Sequence, residues 1–507
     1  METTGPVAES TPASVTVSQT PARSARLVSL DVFRGITIAG MLLVNNPGKG
    51  QAYAALDHAE WNGWTPTDLV FPFFLFIVGV AIPFSMARRS ATLPGRGAML
   101  GRIWIRALSL FMLGALLHGF SYSGVRLNLG ERAAGTPLLT LGALPDGFLL
   151  LKTVRAVAWG MIPFGMVALL APYRSRRMQW SVPVFVTVVF YALMGAVALA
   201  NRHAFANGLP GDTNLGGGIF RPGLYRIPGI LQRIGACYGV AATLALFFGT
   251  RMLVVWLVLL LSTYSALMLK CPFKDHVTGS LTREDNLGRK IDEAVFDRWE
   301  NGKAVRKHTY GHYPDPEGLL STIPAIGTVV LGILVGLGLR RDRPAAERCA
   351  RLLAWGVVVT LLGCGLDKWL MPVNKSIWTP SFAMFCGGLA MLGLGTLFYV
   401  IDVLGRRRWA LPLVIYGMNA IAAFIAAGMV VRLGIIVHVG KDSLVTRAQE
   451  TAVEWVGGVA AWLQQFSSHI PNLATGANES LAYALFFVIV VGLLMSVLYV
   501  CRIFIKV

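Results

Sequence analysis

Long apolar stretches separated by short polar segments run along almost the whole chain. We find twelve of them, each close to the roughly 20 residues that an α-helix needs to cross a bilayer. They lie at 27–45, 66–87, 100–120, 148–171, 180–200, 228–249, 252–270, 319–340, 352–371, 377–402, 409–434 and 480–500. The pattern predicts an all-α fold, a polytopic integral membrane helix bundle of about 12 transmembrane helices within one domain at 27–507.

Arginine-rich turns follow the even-numbered stretches, whereas longer loops of mixed charge follow most of the odd-numbered ones. The turns include "RSRR" at 174–177, "RRDR" at 340–343 and "RRR" at 406–408. Because Lys and Arg are retained on the inner side of a membrane, this asymmetry predicts that both termini lie in the cytoplasm. The larger loops are then expected outside, at 121–147, 201–227, 271–318 and 435–479.

The composition agrees with a membrane domain and excludes an ordinary soluble enzyme. The 507 residues are 55% hydrophobic and only 14% charged, whereas soluble domains carry about 25% charged residues. The net charge of +19 comes from cations in short turns, so that we expect no nucleic-acid partner. The polar segment 1–26 predicts a disordered cytoplasmic tail and shows no cleaved signal peptide. Six cysteines without a CxxC pair predict neither a disulfide framework nor a zinc site.

The richest group of polar residues lies between the first two stretches. His58 is flanked by Asp57 and Glu60, and Asp68 stands at the start of the second helix. Histidine suits proton transfer because its reference pKa of about 6.5 is close to working pH. His58 is therefore either a solvated loop residue or a base whose tautomer a neighbouring carboxylate fixes. The aromatic and polar residues that could bind a sugar beside it are Trp61, Asn62 and Trp64.

Polar residues at other helix ends suggest contacts to an anion. Arg34 lies three residues after Asp31, so that the two form either a structural ion pair on one helix face or an anion contact with an orienting carboxylate. At outer helix ends, anion binding competes with capping and snorkelling at the interface; the candidates there are Arg226, Gln232, Arg233, Asn374 and Lys375. Asn419 is either a helix–helix hydrogen-bond partner or a ligand contact. No histidine spacing predicts a metal site.

Six segments stand in the order in which similar segments stand in one enzyme family. They are "RLVSLDVFRG", "DHAEWNGWTPTDLVFPFFLFIVG", "RIPGILQRIG", "DPEGLLSTIPAI", "PVNKSIWTPSF" and "YGMN". Over about residues 26–430 the chain resembles the heparan-α-glucosaminide N-acetyltransferases and their bacterial NagX-like relatives. The resemblance implies an acetyltransferase that moves acetyl from cytoplasmic acetyl-CoA to a glucosamine-type amino sugar, terminal or free, on the outer side. It also implies a homodimer in the bacterial cell (inner) membrane.

The resemblance also implies roles for individual residues. The active-site histidine of the family lies in a "HAxWNG" segment, which here contains His58, and Asn45 matches the asparagine that closes the first helix. With Asp68 these form the expected catalytic set. The expected acetyl-CoA contacts are Arg34, Arg226, Gln232, Arg233, Asn374, Lys375 and Asn419. The expected sugar contacts are Asp57, Glu60, Trp61, Asn62 and Trp64, and no metal is implied.

Several alternatives stay open from the sequence. The chain carries an extra helical hairpin at about 121–225 and "KIDE" where the family has "YIDR", and both changes leave the acceptor undetermined. Acetyl transfer is either direct or passes through an acetyl-histidine, and CoA lies with its nucleotide towards either side. A transporter of amino sugars or oligosaccharides, or an O-acetyltransferase of an envelope glycan, also fits these features.

Overall fold

The computed structural model describes most of the chain. The described residues are 27–90, 95–118, 125–129, 139–141, 228–273, 276–296, 298–300, 303–306, 315–465 and 474–504. The apolar stretches predicted at 148–171 and 180–200, and the candidate residue Arg226, lie outside these ranges. The predicted tail at 1–26 lies outside them as well.

Long α-helices account for most of the described residues. In chain order they are α1 (Val28–Asn45), α2 (Pro66–Ser90), α3 (Arg96–His118), α4 (Ile230–Phe247), α5 (Thr250–Lys270), α6 (Leu287–Phe296), α7 (Leu319–Leu339), α8 (Ala345–Trp369), α9 (Pro380–Phe398), α10 (Leu411–Met418), α11 (Ala420–Ile436), α12 (Leu444–Gln464) and α13 (Gly476–Val500). A π-helical turn, Tyr399–Val403, extends α9.

The prediction of a polytopic helical membrane protein is confirmed. Within the described ranges, nine helices are long and apolar enough to cross a membrane, or ten spans if one bent pair is counted as a span. They match the ten predicted stretches that fall in these ranges, although α8 begins earlier than predicted, at Ala345. The total of twelve and the side of each terminus stay predictions.

The stretch at 409–434, predicted as one helix, is two helices, so that this part of the prediction is wrong. The segments Arg408–Met418 and Ala420–Ile436 meet at a bend of 73°. At the bend, Asn419 has φ −123° and ψ 38°, which lies outside the helical region. Its side-chain Nδ2 donates to the carbonyl oxygen of Ile503 at 3.0 Å. Asn419 is fully buried, and its role as a ligand contact stays a prediction.

Short strands are a feature that the all-α prediction missed. They are β1 (Val125–Leu129), β2 (Leu139–Leu141), β3 (Arg298–Glu300), β4 (Lys303–Arg306), β5 (Val437–Val439) and β6 (Asp442–Ser443). One sheet has the order β2-β1-β5-β6, in which β1 and β5 are parallel, and β3 pairs with β4. The strands are short beside the helices, so that the architecture is that of a helix bundle.

Helices α2 and α7 approach each other closely because each presents a glycine to the other. A Cβ atom added to Gly79 would lie 2.1 Å from the carbonyl oxygen of Val329. One added to Gly332 would lie 2.2 Å from the carbonyl oxygen of Phe76. Small residues allow membrane helices to pack at such short distances without a hydrophobic driving force between them. The close pairing fixes α2, the helix that carries Asp68, within the bundle.

We expect Gly332→Ala to lower the free energy of unfolding by about 1–3 kcal/mol, the usual cost of overpacking a tight contact. Unfolding by SDS titration of the detergent-solubilised protein measures the change. Gly338→Ala is the matched control, because this glycine lies on the same helix and a Cβ there meets nothing within 4 Å. Equal stability of the two variants would contradict the close α2–α7 contact.

Candidate active site

Three loops meet at one end of the bundle, which we call the loop end. They are the α1–α2 loop (46–65), the α5–α6 loop (271–286) and the α8–α9 loop (370–379). The indole Nε1 of Trp61 donates to the carbonyl oxygen of Leu281 at 3.1 Å, which joins the first loop to the second. The backbone N–H of Gly63 donates to the carbonyl oxygen of Val373 at 2.8 Å, which joins the first to the third.

Asn374 fastens the α1–α2 loop to the α8–α9 loop. Its side-chain Nδ2 donates to the carbonyl oxygen of Trp61 at 2.8 Å and to Oδ1 of Asn62 at 3.1 Å. Its Oδ1 accepts from the backbone N–H of Ile377 at 3.1 Å, and the residue is fully buried. These contacts use both the donor and the acceptor of the amide, so that Asn374 holds the loops together in this structure.

The start of α2 fixes the carboxylate of Asp68. Thr65 precedes the helix, Pro66 is its first residue and Asp68 stands three residues after Thr65. Asp68 Oδ2 accepts from the backbone N–H of Thr65 at 3.1 Å and from its hydroxyl at 3.1 Å. This is the capping-box arrangement, in which the third helical residue reaches back to the residue before the helix. It leaves Asp68 Oδ1 directed at the neighbouring loop.

The ring of His58 contacts this second carboxylate oxygen of Asp68. Nδ1 of His58 lies 2.7 Å from Oδ1 of Asp68, and the backbone N–H of Ala59 donates to Oδ2 at 3.1 Å. The side chain of Asp68 is 2% exposed and that of His58 is 51% exposed. A buried carboxylate on Nδ1 sets the tautomer in which Nδ1 carries the proton and Nε2 has the lone pair. The pair can therefore act as a general base at the loop end.

Lys375 is the third charged member of this group. Its Nζ lies 3.1 Å from Asp68 Oδ1 and 3.0 Å from His58 Nδ1. The sequence suggested Lys375 only as an anion contact, because no local pattern links it to His58, 317 residues away. The structure brings His58, Asp68 and Lys375 together, and we call them the His58 triad.

Other candidate residues lie on the same loop as His58 or, for Asn45, at the end of α1. The carboxylate of Asp57 accepts from the backbone N–H of His58 at 2.8 Å. The ring of Trp64 is 44% exposed and packs on Phe385 with ring centres 5.1 Å apart. Glu60 and Asn62 are exposed beside it, and Asn45 is exposed at the end of α1. The predicted sugar contacts therefore lie on one short loop, and their roles stay predictions.

A second polar cluster, at the start of α4, is held by protein contacts. The guanidinium of Arg233 donates to the carbonyl oxygens of Pro316 and Gly318 and to the hydroxyl of Ser321. Its Cζ lies 5.0 Å from the ring centre of Trp378, which belongs to the α8–α9 loop. The neighbouring Gln232 is 2% exposed, and among the described residues its amide N and O have no hydrogen-bond partner.

Arg34 lies on α1 towards the start of the helix, at the opposite end from the His58 triad. Its Nη1 lies 3.4 Å from Asp31 Oδ1 and 3.4 Å from the carbonyl oxygen of Gly417. This geometry is the structural ion pair that the spacing allowed. The side chain is still 24% exposed, and its role as an anion contact stays a prediction.

The sequence passed over another histidine–carboxylate pair in the α5–α6 loop. Nδ1 of His276 lies 3.2 Å from Oδ1 of Asp285, and the histidine side chain is fully buried. The backbone N–H of Val277 donates to Asp285 at 3.0 Å and lowers the pKa of this carboxyl group. A spacing of nine residues does not predict this contact, because the path of the loop between the two residues decides whether they meet.

The fold and these contacts define a multi-pass helical membrane protein with a histidine–aspartate–lysine group at one end of its bundle. No protein-family model matches the chain. It is 25% identical over 407 residues to the heparan-alpha-glucosaminide N-acetyltransferase of Mus musculus and 25% identical over 408 residues to that of Homo sapiens. The match includes 79% of this chain but 53% and 52% of those proteins, so that the chain spans about half their length. The chain is therefore similar, at low identity, to the heparan-alpha-glucosaminide N-acetyltransferases of these two organisms.

We expect Asn374→Ala to loosen the α1–α2 loop, because a buried hydrogen bond to each of two partners is lost. Such a loss costs about 1–3 kcal/mol, so that the Gly63 amide should exchange hydrogen about 5- to 150-fold faster. Hydrogen–deuterium exchange with mass spectrometry of the 57–64 peptide measures this. Asn46→Ala is the control, because that amide donates within its own helix, to Leu42; unchanged exchange in Asn374→Ala would contradict the clamp.

Proposed function

We propose that this protein is a transmembrane acetyltransferase. It transfers acetyl from acetyl-CoA on the cytoplasmic side to the amino group of a glucosamine-type sugar, terminal or free, on the outer side. The observation that supports this most directly is the contact between His58 Nδ1 and the buried Asp68, which presents Nε2 as a base. The distant relationship to N-acetyltransferases supports the reaction class.

In the direct route, His58 acts as the base while the amine attacks. The amine nitrogen forms a bond to the thioester carbonyl carbon, and its proton passes to Nε2 of His58. The carbon–sulfur bond then breaks, and His58 returns the proton to the departing CoA thiolate. Asp68 stabilises the imidazolium that forms between these steps. Asn45 is the proposed donor to the developing oxyanion, and such donors supply a large part of transition-state stabilisation.

In the covalent route, Nε2 of His58 attacks the thioester itself. An acetyl-histidine forms as the carbon–sulfur bond breaks and CoA leaves as the thiolate. The amine then takes the acetyl group from Nε2, which restores the histidine, and the proton that the amine loses balances the charge of the thiolate. This route gives ping-pong kinetics and an acetylated His58 in the absence of acceptor. The same Nδ1–H tautomer serves both routes, and the direct route is our preferred one.

The contacts of the two candidate arginines favour one orientation of acetyl-CoA. Arg233 already donates to three protein oxygens at the loop end, which leaves it poorly suited to a phosphate. Arg34 is partly exposed near the other end of the bundle. We therefore infer that the nucleotide lies towards the cytoplasm, near Arg34, and that the pantetheine arm extends towards the loop end. The buried amide of Gln232, unpartnered among the described residues, fits a polar contact to that arm. Further proposed contacts are Arg226 and Asn419, whereas Asn374 and Lys375 are engaged by the loop-end contacts described above.

The acceptor is proposed to bind over the α1–α2 loop. Trp64, on the same loop as His58, is partly exposed, and aromatic faces suit the apolar side of a sugar ring. Asp57 and Glu60 offer carboxylates to an ammonium group, and Asn62 offers an amide to hydroxyls; the indole N–H of Trp61 is already used by Leu281. A sugar held there would place its amine near Nε2 of His58.

The proposed setting is the bacterial inner membrane, with both termini in the cytoplasm and a homodimer as the assembly. The arginines at the ends of α2 and α7 support this orientation, because they lie at the end opposite the His58 triad. One domain at 27–507 and a cytoplasmic tail at 1–26 complete the proposal.

A transporter is the main alternative, and one observation bears on it. Carriers place substrate at broken helices in matching positions of two repeats. The α10–α11 bend is one such break, and within the described ranges no second broken span passes the same test. A single break with a buried asparagine supports a bent structural element more than a carrier site.

We expect His58→Ala to reduce acetyl transfer by about 10²–10⁴-fold, because general acid–base catalysis contributes this much. The measurement is transfer of radiolabelled acetyl from acetyl-CoA to glucosamine by protein in liposomes. His438→Ala is the control histidine, since its Nδ1 contacts only the nearby carbonyl of Ile436 among the contacts described.

Labelled acetyl-CoA should still bind to folded His58→Ala protein. Retained turnover in this variant would remove His58 from the mechanism. Wild-type protein that binds no acetyl-CoA but takes up amino sugar would support the transporter instead. Transfer to a hydroxyl of a glycan, with none to an amine, would support an O-acetyltransferase.

We expect the His58 triad and the arginine turns to lie on opposite sides of the membrane. A membrane-impermeant maleimide should label Glu60→Cys from outside intact cells and Arg341→Cys only in inverted vesicles, in a background without native cysteines. Arg341 follows the last residue of α7 by two positions. Labelling of both positions from the same side would contradict the proposed topology.

A further inference from the structure

The position of Lys375 adds a charge to the histidine–aspartate pair. Its Nζ lies within 3.1 Å of Asp68 Oδ1 and 3.0 Å of His58 Nδ1. Its side chain is 22% exposed, against 51% for His58. The lysine is therefore packed behind the imidazole, on the Nδ1 side, while the ring itself reaches solvent.

Two groups of opposite hydrogen-bonding character lie against Nδ1 of His58. An ammonium group has donors and no acceptor, and a carboxylate has acceptors only. If Nδ1 lacked a proton, its lone pair would face the Asp68 oxygen at 2.7 Å without a hydrogen between them. The shorter contact, to Asp68, favours a proton on Nδ1 and the lone pair on Nε2, and Lys375 donates to the same Asp68 oxygen.

The same contacts set a balance of charge around the ring. Asp68 from α2 favours the imidazolium, whereas Lys375 from the α8–α9 loop opposes it, and both contact Nδ1. Asp57 and Glu60 flank His58 along its own loop, where Asp57 accepts from the backbone N–H of His58. A cation close to a titratable base disfavours the protonated form of that base.

We propose that Lys375 is a positioning residue that holds the carboxylate of Asp68 against His58 and, as a cation beside Nδ1, disfavours the imidazolium form of the ring. The lysine acts through the shared oxygen of Asp68 and does not touch the acetyl donor. This role rests on the proposed function, because an uncharged Nε2 is what a general base or a nucleophile needs. It replaces the anion contact that the sequence alone suggested for Lys375.

The surroundings of Lys375 support this role over phosphate binding. Its neighbour Asn374 anchors the α8–α9 loop to the α1–α2 loop through Trp61 and Asn62. The backbone N–H of Trp378 donates to the carbonyl oxygen of Lys375 at 3.1 Å. Hydrogen bonds thus fix the turn that carries Lys375. Its ammonium group stays beside the imidazole of His58, which suits a positioning role better than the binding of a phosphate.

The first test measures the protonation of His58 without any enzyme assay. Diethyl pyrocarbonate modifies neutral imidazole, so that the rate of carbethoxylation of the His58 peptide against pH, followed by mass spectrometry, reports its titration. In Lys375→Gln the midpoint should rise by about one pH unit, since a cation beside a titrating group shifts it by this order or more. In Lys375→Arg, which keeps the charge, it should stay near the wild-type value.

Lys49→Gln is the matched control, because Lys49 is paired with Glu450 at 2.9 Å on the surface, away from the His58 triad. Its midpoint should equal that of the wild type. An unchanged or lower midpoint in folded Lys375→Gln would overturn the proposal. If Lys375→Gln does not fold, Lys375→Met and Lys375→Arg are compared in the same way.

The second test uses acetyl transfer. The acidic limb of kcat/KM against pH should move to higher pH by about one unit in Lys375→Gln. In Lys375→Arg, which keeps the charge, the limb should lie at its wild-type position. A rise in KM for acetyl-CoA with no shift of this limb would identify Lys375 as a phosphate contact and overturn the proposal. A wild-type protein that transfers no acetyl would refute the proposed function, whereas the carbethoxylation midpoints would still decide the role of Lys375.

Discussion

The carboxylate of Asp68 is the group on which the loop end depends. It is a buried acid at the start of a membrane helix, where each unpaired charge is costly. One oxygen is tied to the helix start by Thr65 and to the loop by the N–H of Ala59. The other oxygen receives His58 and Lys375. The loop must therefore fold back onto α2, and the α8–α9 turn must dock against it, before the charge is satisfied.

The local parts of this arrangement could be predicted from the sequence. The Thr65–Pro66–Asp68 spacing is typical of a helix start, and the nearby His58 offered a partner for the carboxylate. The apolar stretches predicted the described spans because the bilayer fixes their length. These features depend on residues that are close in sequence, where pattern and geometry are tightly linked.

The long-range parts could not be predicted in the same way. Lys375 and Asn374 are more than 300 residues from the atoms they contact, and nothing in either local pattern specifies the other. Asn374 and Arg233 looked like ligand contacts because polar residues at helix ends serve both purposes. In the structure each is occupied by carbonyl oxygens of neighbouring loops. The bend at Asn419 was missed because an apolar stretch reports length and not direction.

The contact between Lys375 and Asp68 has a consequence for biosynthesis. Helices α1 and α2 leave the ribosome long before the α8–α9 turn, so that the nascent chain carries Asp68 and His58 without the ammonium group. Until that later hairpin inserts, the carboxylate of Asp68 lacks its lysine partner. The loop end of a half-made chain is therefore incomplete, and its buried charges are matched only after assembly brings the two distant segments together.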